Sequence, residues 1–464
     1  LNLWARGERV GHLRFGELGA SISFYPYALI FPQDEHEQML IEQLARRGVH
    51  VERSTELVDF ADSGDGITAA IRKNSGQTES VRSAFLAGCD GAHSVVRKKL
   101  GIEFPGGTYS ELFYIADIKG SGPVINKQLH VALDDADFLA VFPMKGEGRA
   151  RLVGSLNPDV RARKEIGWSD VSQGVFRRLD LQVDEVNWFS TYKVYHRVAS
   201  QFRKQRAFLL GDAGHIHSPV GGQGMNTGIG DAVNLGWKLA AVIAAGADPS
   251  LLDTYEPERI AFARTLVATT DRVFTLVNAQ GAFAKAIRLQ VAPLVLPILF
   301  DSAWVRRAAF RTVSQTAIEY PESPISRGPD GTLVGGRRLP WVQFKAVERK
   351  TVDNFSCLAT LDWQLHVYGQ PTGSLRQICE ERGLVLNVFA WTAEMRDLGF
   401  KQNAVYIVRP DGYIAITDAS GSAGHIADYL DRWQIKPRKP RTADKGERGS
   451  SDQRFSRQAS TGIR

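Results

Sequence analysis

The stretch from Arg206 to Gly246 constrains the fold most. It reads Arg206-Ala-Phe-Leu-Leu-Gly-Asp212-Ala-Gly-His-Ile-His-Ser-Pro219-Val-Gly-Gly222-Gln-Gly224-Met225-Asn226 and continues as a helical pattern. An apolar strand, Ala207–Leu210, feeds a helix through a glycine-rich loop, which is the building step of an open α/β sheet. Such sheets bind ligands beyond the carboxyl ends of their strands, where Asp212 stands. The helix places Ile229, Val233, Trp237 and Ala241 at helical spacing and stops at Gly246. Free N–H groups and the dipole at its start favour negative charge, and the Asp212 carboxylate suits hydroxyl donors such as a polyol.

The same grammar recurs in Ala87-Gly88-Cys89-Asp90-Gly91-Ala92-His93-Ser94-Val95-Val96-Arg97: a strand, a turn that needs glycine, and a helix start. A third segment, Tyr25-Pro26-Tyr27 to Pro32-Gln33, leads into a helix carrying Met39, Leu40 and Leu44. Gly48 closes that helix, and a strand is expected at Val49–Val51. Alternating segments at Thr55–Phe60, Gly66–Lys73 and Ser80–Leu86 predict an antiparallel ribbon. Phe113–Ser155, with its apolar runs Phe138–Phe142 and Leu152–Val153, predicts an antiparallel sheet layer. Leu252–Val313 is mainly helical, and the Gly/Pro-rich Tyr320–Pro340 is a linker candidate. A further α/β unit is expected over Val352–Trp433, with strands near Phe355–Leu361 and Ala404–Val408 and a hairpin over Gly412–Thr417.

Taken whole, the first string resembles the "GD" motif of FAD-dependent aromatic hydroxylases, the para-hydroxybenzoate hydroxylase-like and phenol and polyketide hydroxylase family. The second resembles that family's "DG" motif. The resemblance implies that Asp212 binds the ribityl hydroxyls, that Pro219 sits beside the isoalloxazine, and that Gly222, Gly224, Met225 and Asn226 contact its pyrimidine edge. It implies that Asp90 and Gly91 help hold FAD, that Arg97 offers positive charge toward the pyrophosphate or nicotinamide cofactor, and that Gln33 hydrogen-bonds near the flavin. Tyr25, Tyr27, Phe138 and Phe142 are the expected substrate contacts, and no side chain is assigned a catalytic acid, base or nucleophile role.

The implied fold is α/β, a Rossmann-like FAD-binding domain interleaved with an antiparallel-sheet substrate domain, followed by a thioredoxin-like α/β domain. The expected boundaries are 1–33 and 101–195 for the substrate region, 34–100 and 196–265 for the FAD domain, 266–320 helical, 321–350 linker, 351–435 thioredoxin-like and 436–464 a disordered tail. The last domain has no C-x-x-C for disulfide exchange, so a packing or oligomerisation role is expected of it, with a homodimer as the candidate assembly.

The implied reaction is NAD(P)H-dependent hydroxylation of a phenolic or polyketide-type ring, with molecular oxygen trapped as a flavin hydroperoxide. Epoxidation and Baeyer–Villiger oxidation remain open, because the motifs read the cofactor and not the substrate. No G-x-G-x-x-G follows any strand, and the chain opens on Leu1. The expectation is an N-terminally truncated chain without the unit that takes the ADP half of FAD. The rival reading is a non-catalytic remnant that binds an aromatic ligand or partner without flavin.

Charge adds little to this. Fifty-seven Lys and Arg against 51 Asp and Glu give +6, and Lys436–Arg464 alone holds nine basic against three acidic residues, a surplus of six. A Ser/Gly/Pro/Arg-rich end of this kind reads as solvated chain, not a nucleic-acid arm. The three dispersed cysteines Cys89, Cys357 and Cys379 fit a reducing, cytoplasmic setting, and no run is long enough to span a bilayer. His215 and His217 lack a third ligand for a metal.

Overall fold

Alternation is the dominant signal in the central strands: Arg149–Ser155 buries every second residue, as a strand with one core-facing side must. The computed structural model describes residues 1–437 apart from 13–18, 20–21, 134–137, 161–162, 164, 218–222, 279–301, 329–332 and 346–350. The chain divides into two units. The first is Leu1–Asn234 with Tyr255–Ile318, and the second is Leu235–Thr254 with Glu319–Arg464.

Unit 1 is built around an eight-stranded sheet. Its strands are β1 (Asn2–Ala5), β2 (Glu8–His12), β7 (Gly106–Ser121), β8 (His130–Leu133), β9 (Phe138–Pro143), β10 (Arg149–Ser155), β11 (Gln182–Val198) and β14 (His215–Ile216), in the order β14-β11-β7-β10-β9-β8-β1-β2. All pairings are antiparallel except β1 with β8. One face carries Leu139, Val141, Leu152, Tyr114, Ala116 and Ile118 into the main core, where Val175, Phe176 and Leu179 cover it. β11 runs against β7 for nearly its whole length, with register shifts at Val183/Glu185, Val186/Trp188 and Lys193/Tyr195.

A second, three-stranded sheet holds β12 (Arg203–Lys204), β13 (Ala207–Leu209) and β6 (Leu86–Gly88), with β13 and β6 parallel. Helix α2 (Val95–Lys99) follows β6. After β14 come α4 (Gly224–Ala245), which begins in unit 1, then α5 (Tyr255–Asn278) and α6 (Ala303–Val313). The expected ribbon forms as β3 (Thr55–Asp62), β4 (Ile67–Lys73) and β5 (Thr78–Ser83), with neighbouring strands antiparallel.

Helix α1 (Gln33–Ala45) forms where expected but buries none of its residues. The strand expected at Val49–Val51 does not form, and those residues make no ladder among the described residues. Their apolar character gives strand propensity, but a strand needs a partner for its N–H and C=O groups.

In unit 2, β17 (Gln364–Tyr368), β18 (Val385–Phe389), β19 (Val405–Val408) and β20 (Ile414–Asp418) form a sheet in the order β18-β17-β19-β20, parallel only between β17 and β18. Helices Gly373–Arg382 and Ala423–Arg432 pack Leu375, Cys379, Ile426 and Leu430 against it, together with Trp237, Ala241 and Leu251. The strand expected near Phe355–Leu361 is instead a 3-10 helix, Ser356–Thr360. The Asp353 carboxylate accepts the N–H groups of Phe355 and Ser356 at 2.9 and 2.8 Å, and Leu361 ends the turn at a φ of 50°. A local side-chain cap thus beats apolar propensity. Among the described residues no helix is long and apolar enough to cross a membrane.

Candidate functional site

The site begins with two strands that end side by side. β13 is fully buried, and Leu210 N–H donates to Gly88 O at 3.0 Å, so both chains leave the sheet together. After β13, Gly211 turns at a φ of 55° and a 3-10 turn, Gly211–Ala213, presents Asp212. The Asp212 side chain is exposed and makes no hydrogen bond or ion pair among the described residues. After β6, Gly91 turns at a φ of 77° and the chain enters α2. Asp90 Oδ2 accepts from the N–H of Val95 at 2.7 Å and of Val96 at 3.1 Å, while Ser94 Oγ accepts from Arg97 N–H at 2.9 Å. Asp90 therefore caps a helix with one oxygen.

Arg97 differs most from its expected posture. The sequence suggests a charge reaching outward, but its side chain lies inside unit 1, where Nη1 donates to Ala213 O and Nη2 to Ala92 O, each at 2.7 Å. Its guanidinium stacks 3.8 Å over Phe104. Because Ala213 follows Asp212 and Ala92 follows Gly91, this one side chain ties the two glycine turns together. Burial lowers its pKa, although a cation this basic stays charged.

Helix α4 starts at Gly224 with no acidic residue in its first turn, and Met225 and Asn226 are exposed there. The helix sits close to the Asp212 turn, since a Cβ on Gly228 would lie 3.3 Å from Gly211 Cα. Pro219 and Gly222 lie outside the described residues. The apolar stripe expected of this helix is not its buried one in the opening turns. Ile229 and Val233 are exposed, and the buried positions are Thr227, Asp231 and Asn234. Their partners explain the reversal: Gln315 donates to Thr227 Oγ1 at 2.8 Å, Arg259 to Asp231 at 2.6 Å, and Asn234 to Glu258 at 2.6 Å. Buried polar groups are tolerated when each is met. Their helical spacing was the sequence signal available for this network.

These features fit FAD. A carboxylate without a partner among the described residues, at the end of a buried strand, matches a polyol, and a helix start without acidic residues in its first turn matches an anionic ring edge. Gln33 is exposed at the start of α1, and the next residue, Asp34, is within electrostatic reach of Arg151 on the sheet.

The second face of the eight-stranded sheet carries Phe138 and Phe142. Register places Phe138, Ser155, Phe113 and Tyr192 in one cross-strand row, Ala140, Val153, Ile115 and Ser190 in the next, and Phe142, Arg151, Asp117 and Trp188 in the third. Phe138 and Phe142 thus share a face. Phe113 stacks on Tyr192 at 6.0 Å and meets Phe138 edge-on at 6.4 Å, with Tyr109 and Val194 in the same cluster. Burial pushes the Tyr192 phenol up to about 12, so it keeps its proton. At the other end Arg151 Nε and Nη2 donate to the two oxygens of Asp117 at 2.7 and 2.9 Å, with Trp188 beside them. Phe113, Tyr192, Arg151 and Asp117 escaped the sequence reading, because only register brings them into rows. Tyr25 and Tyr27 are exposed and stand edge-on to each other at 6.2 Å.

Comparison with known proteins identifies the family. Residues 8–270 match the family model described as "FAD binding domain". The 6-methylpretetramide 4-monooxygenase of Streptomyces rimosus is 33% identical over 358 residues, 72% of this chain and 62% of that protein, so the match spans less than two thirds of its length. The 12-dehydrotetracycline 5-monooxygenase/anhydrotetracycline 6-monooxygenase of Streptomyces rimosus subsp. rimosus is 31% identical over 450 residues, 90% of this chain and 84% of the relative. The solved anhydrotetracycline hydroxylase from Streptomyces rimosus superposes with a TM-score of 0.71 at 28% identity, covering 92% of this chain and 85% of that one. The chain belongs to the FAD-dependent aromatic and polyketide monooxygenases.

Proposed function

We propose that the protein uses FAD, NAD(P)H and molecular oxygen to hydroxylate an elongated polycyclic phenol of polyketide type lying along the Phe113-to-Asp117 face of the eight-stranded sheet. The observation that carries this reading is the face itself, aromatic at one end and ionic at the other. From the Phe113 row to the Asp117 row is four residues, about 14 Å of strand. That length suits several rings fused in line better than one. The relatives' named activities on tetracycline-type molecules agree with a substrate of this shape.

Bound FAD supplies the redox and oxygen chemistry, and the chain positions both partners. Asp212 accepts hydroxyls of the ribityl chain, and the N–H groups at Gly224–Asn226 offer positive potential to the ring edge. Phe113, Phe138 and Tyr109 keep water from one end of the substrate, while the protonated Tyr192 offers a donor. The Arg151–Asp117 pair offers polar groups to hydroxyls or carbonyls at the far end. We also read unit 2 as thioredoxin-like, supported by its mixed four-stranded sheet with flanking helices, and give it a packing role.

Two substitutions test the halves separately. Asp212→Ala is expected to weaken FAD binding by about 1.5–3 kcal/mol, because it removes a charged acceptor, and unchanged affinity in a flavin titration would end the assignment. Ser190→Trp fills the middle row of the face and is expected to raise KM for a polycyclic phenol roughly tenfold or more, about 1.4 kcal/mol, with FAD affinity unaltered. An unchanged KM would move the substrate elsewhere.

A further inference from the structure

Behind the flavin-facing turn lies a carboxylate that no step above uses. Asp231 is fully buried on α4, and its two oxygens receive three donors from three different places. Oδ2 accepts the backbone N–H of Gly211 at 2.9 Å and His215 Nε2 at 2.7 Å. Oδ1 accepts Arg259 Nε at 2.6 Å, and Arg259 Nη2 also donates to Thr227 O at 3.1 Å in the second turn of α4. The Asp212 turn, strand β14, helix α4 and helix α5 thus converge on one side chain.

Stability alone is a weak reason to keep such a cluster. Buried ion pairs often contribute no more than well-packed apolar residues of the same volume. The specific feature is the Gly211 contact. Gly211 is in the left-handed region and immediately precedes Asp212, so its peptide N–H sets where the next side chain points. Gly211 and Gly228 leave the turn and the helix close together, with no side chain between them to fix their distance. The carboxylate supplies that fixing, as a supporting hydrogen bond does for a binding group that must be held within a fraction of an ångström.

We propose that Asp231 is the positioning residue of the flavin site, holding the Gly211 turn against α4 so that Asp212 and the helix start engage one FAD molecule together. The proposal rests on the reading of Asp212 given above. Asp231 touches no cofactor itself and acts through Gly211.

A double-mutant cycle on FAD affinity tests it, using flavin fluorescence titration of Asp231→Asn, Asp212→Ala and the double variant, with unfolding midpoints measured in parallel. Asn keeps the shape of the side chain but loses its charge and one acceptor. The expected result is about a tenfold rise in the FAD Kd for Asp231→Asn that shrinks below about twofold once Asp212 is already alanine. Should the single variant not fold, Asp231→Leu combined with Arg259→Met removes both buried charges together and gives the same comparison. An equal loss of affinity with and without Asp212 would make Asp231 a general support of the fold and overturn the proposal, as would unchanged affinity in Asp231→Asn. If Asp212→Ala binds FAD like the parent, the assignment of Asp212 fails first and the positioning role falls with it.

Discussion

Arg97→Met is expected to destabilise unit 1 by about 3–5 kcal/mol and to loosen flavin binding with it. Methionine replaces much of the volume but none of the donors. The carbonyls of Ala92 and Ala213 then lose charged partners at 2.7 Å, and the stacking over Phe104 becomes an ordinary apolar contact. Hydrogen bonds from charged groups contribute roughly 1.5–3 kcal/mol each, so two of them set the scale. Urea unfolding followed by circular dichroism measures the loss, and a variant within about 0.5 kcal/mol of the parent would show that the two turns hold without the tie. Arg97→Lys is expected to recover little, because one ammonium does not reproduce a planar fork between two carbonyls.

Unit 2 is expected to lose stability in mild acid through His366. The ring is fully buried, within 3.2 Å of Gln364 Oε1 and 3.4 Å of the Tyr368 hydroxyl, and burial pushes its pKa down to about 3 from 6.5. Because the folded pKa is depressed, the native state stays neutral while the unfolded chain takes up a proton. Stability is therefore intact above the unfolded value and falls as the pH drops from there toward the folded value. The slope approaches 1.4 kcal/mol per pH unit, or roughly 3 kcal/mol over two units. Comparing unfolding midpoints at neutral pH and two units below 6.5, for the parent and His366→Gln, isolates this contribution. A parent and variant with the same acid slope would place the sensitivity in other groups.

Much of the cofactor half was legible because its signals are local. A strand end, a glycine turn and a helix start occupy consecutive residues around Asp90 and again around Asp212, and β6 with α2, then β13 with α4, form in that order. What escaped depends on distant partners. Nothing near Arg97 in sequence announces Ala213 as its acceptor, and a lone arginine after a glycine turn invites an outward reading. Nothing in the residues around Asp231 announces Arg259 and His215 as its partners. The exposure of Ile229 and Val233 has the same cause, since the helix turned its polar side inward to reach those partners. Phe138 was picked out by its apolar run, while Tyr192 and Asp117 became neighbours only through the register of β7 and β11. The helical turn at Ser356–Thr360 was missed because Asp353 capped a stretch whose composition suggests a strand.

Strand β11 bears on how this protein can change length over evolutionary time. It lays Trp188, Ser190 and Tyr192 onto the face that carries Phe138 and Phe142 and then, in its last residues, pairs with β14, where His215 belongs to the Asp231 cluster. Deleting one residue between Trp188 and Tyr192 would shift those side chains to the opposite face. The register shifts at Val183/Glu185, Val186/Trp188 and Lys193/Tyr195 are places where such a change can be absorbed as one looped-out residue. Insertions and deletions tolerated in descendants of this chain should therefore collect at those joints, leaving the run between Trp188 and Lys193 at constant length.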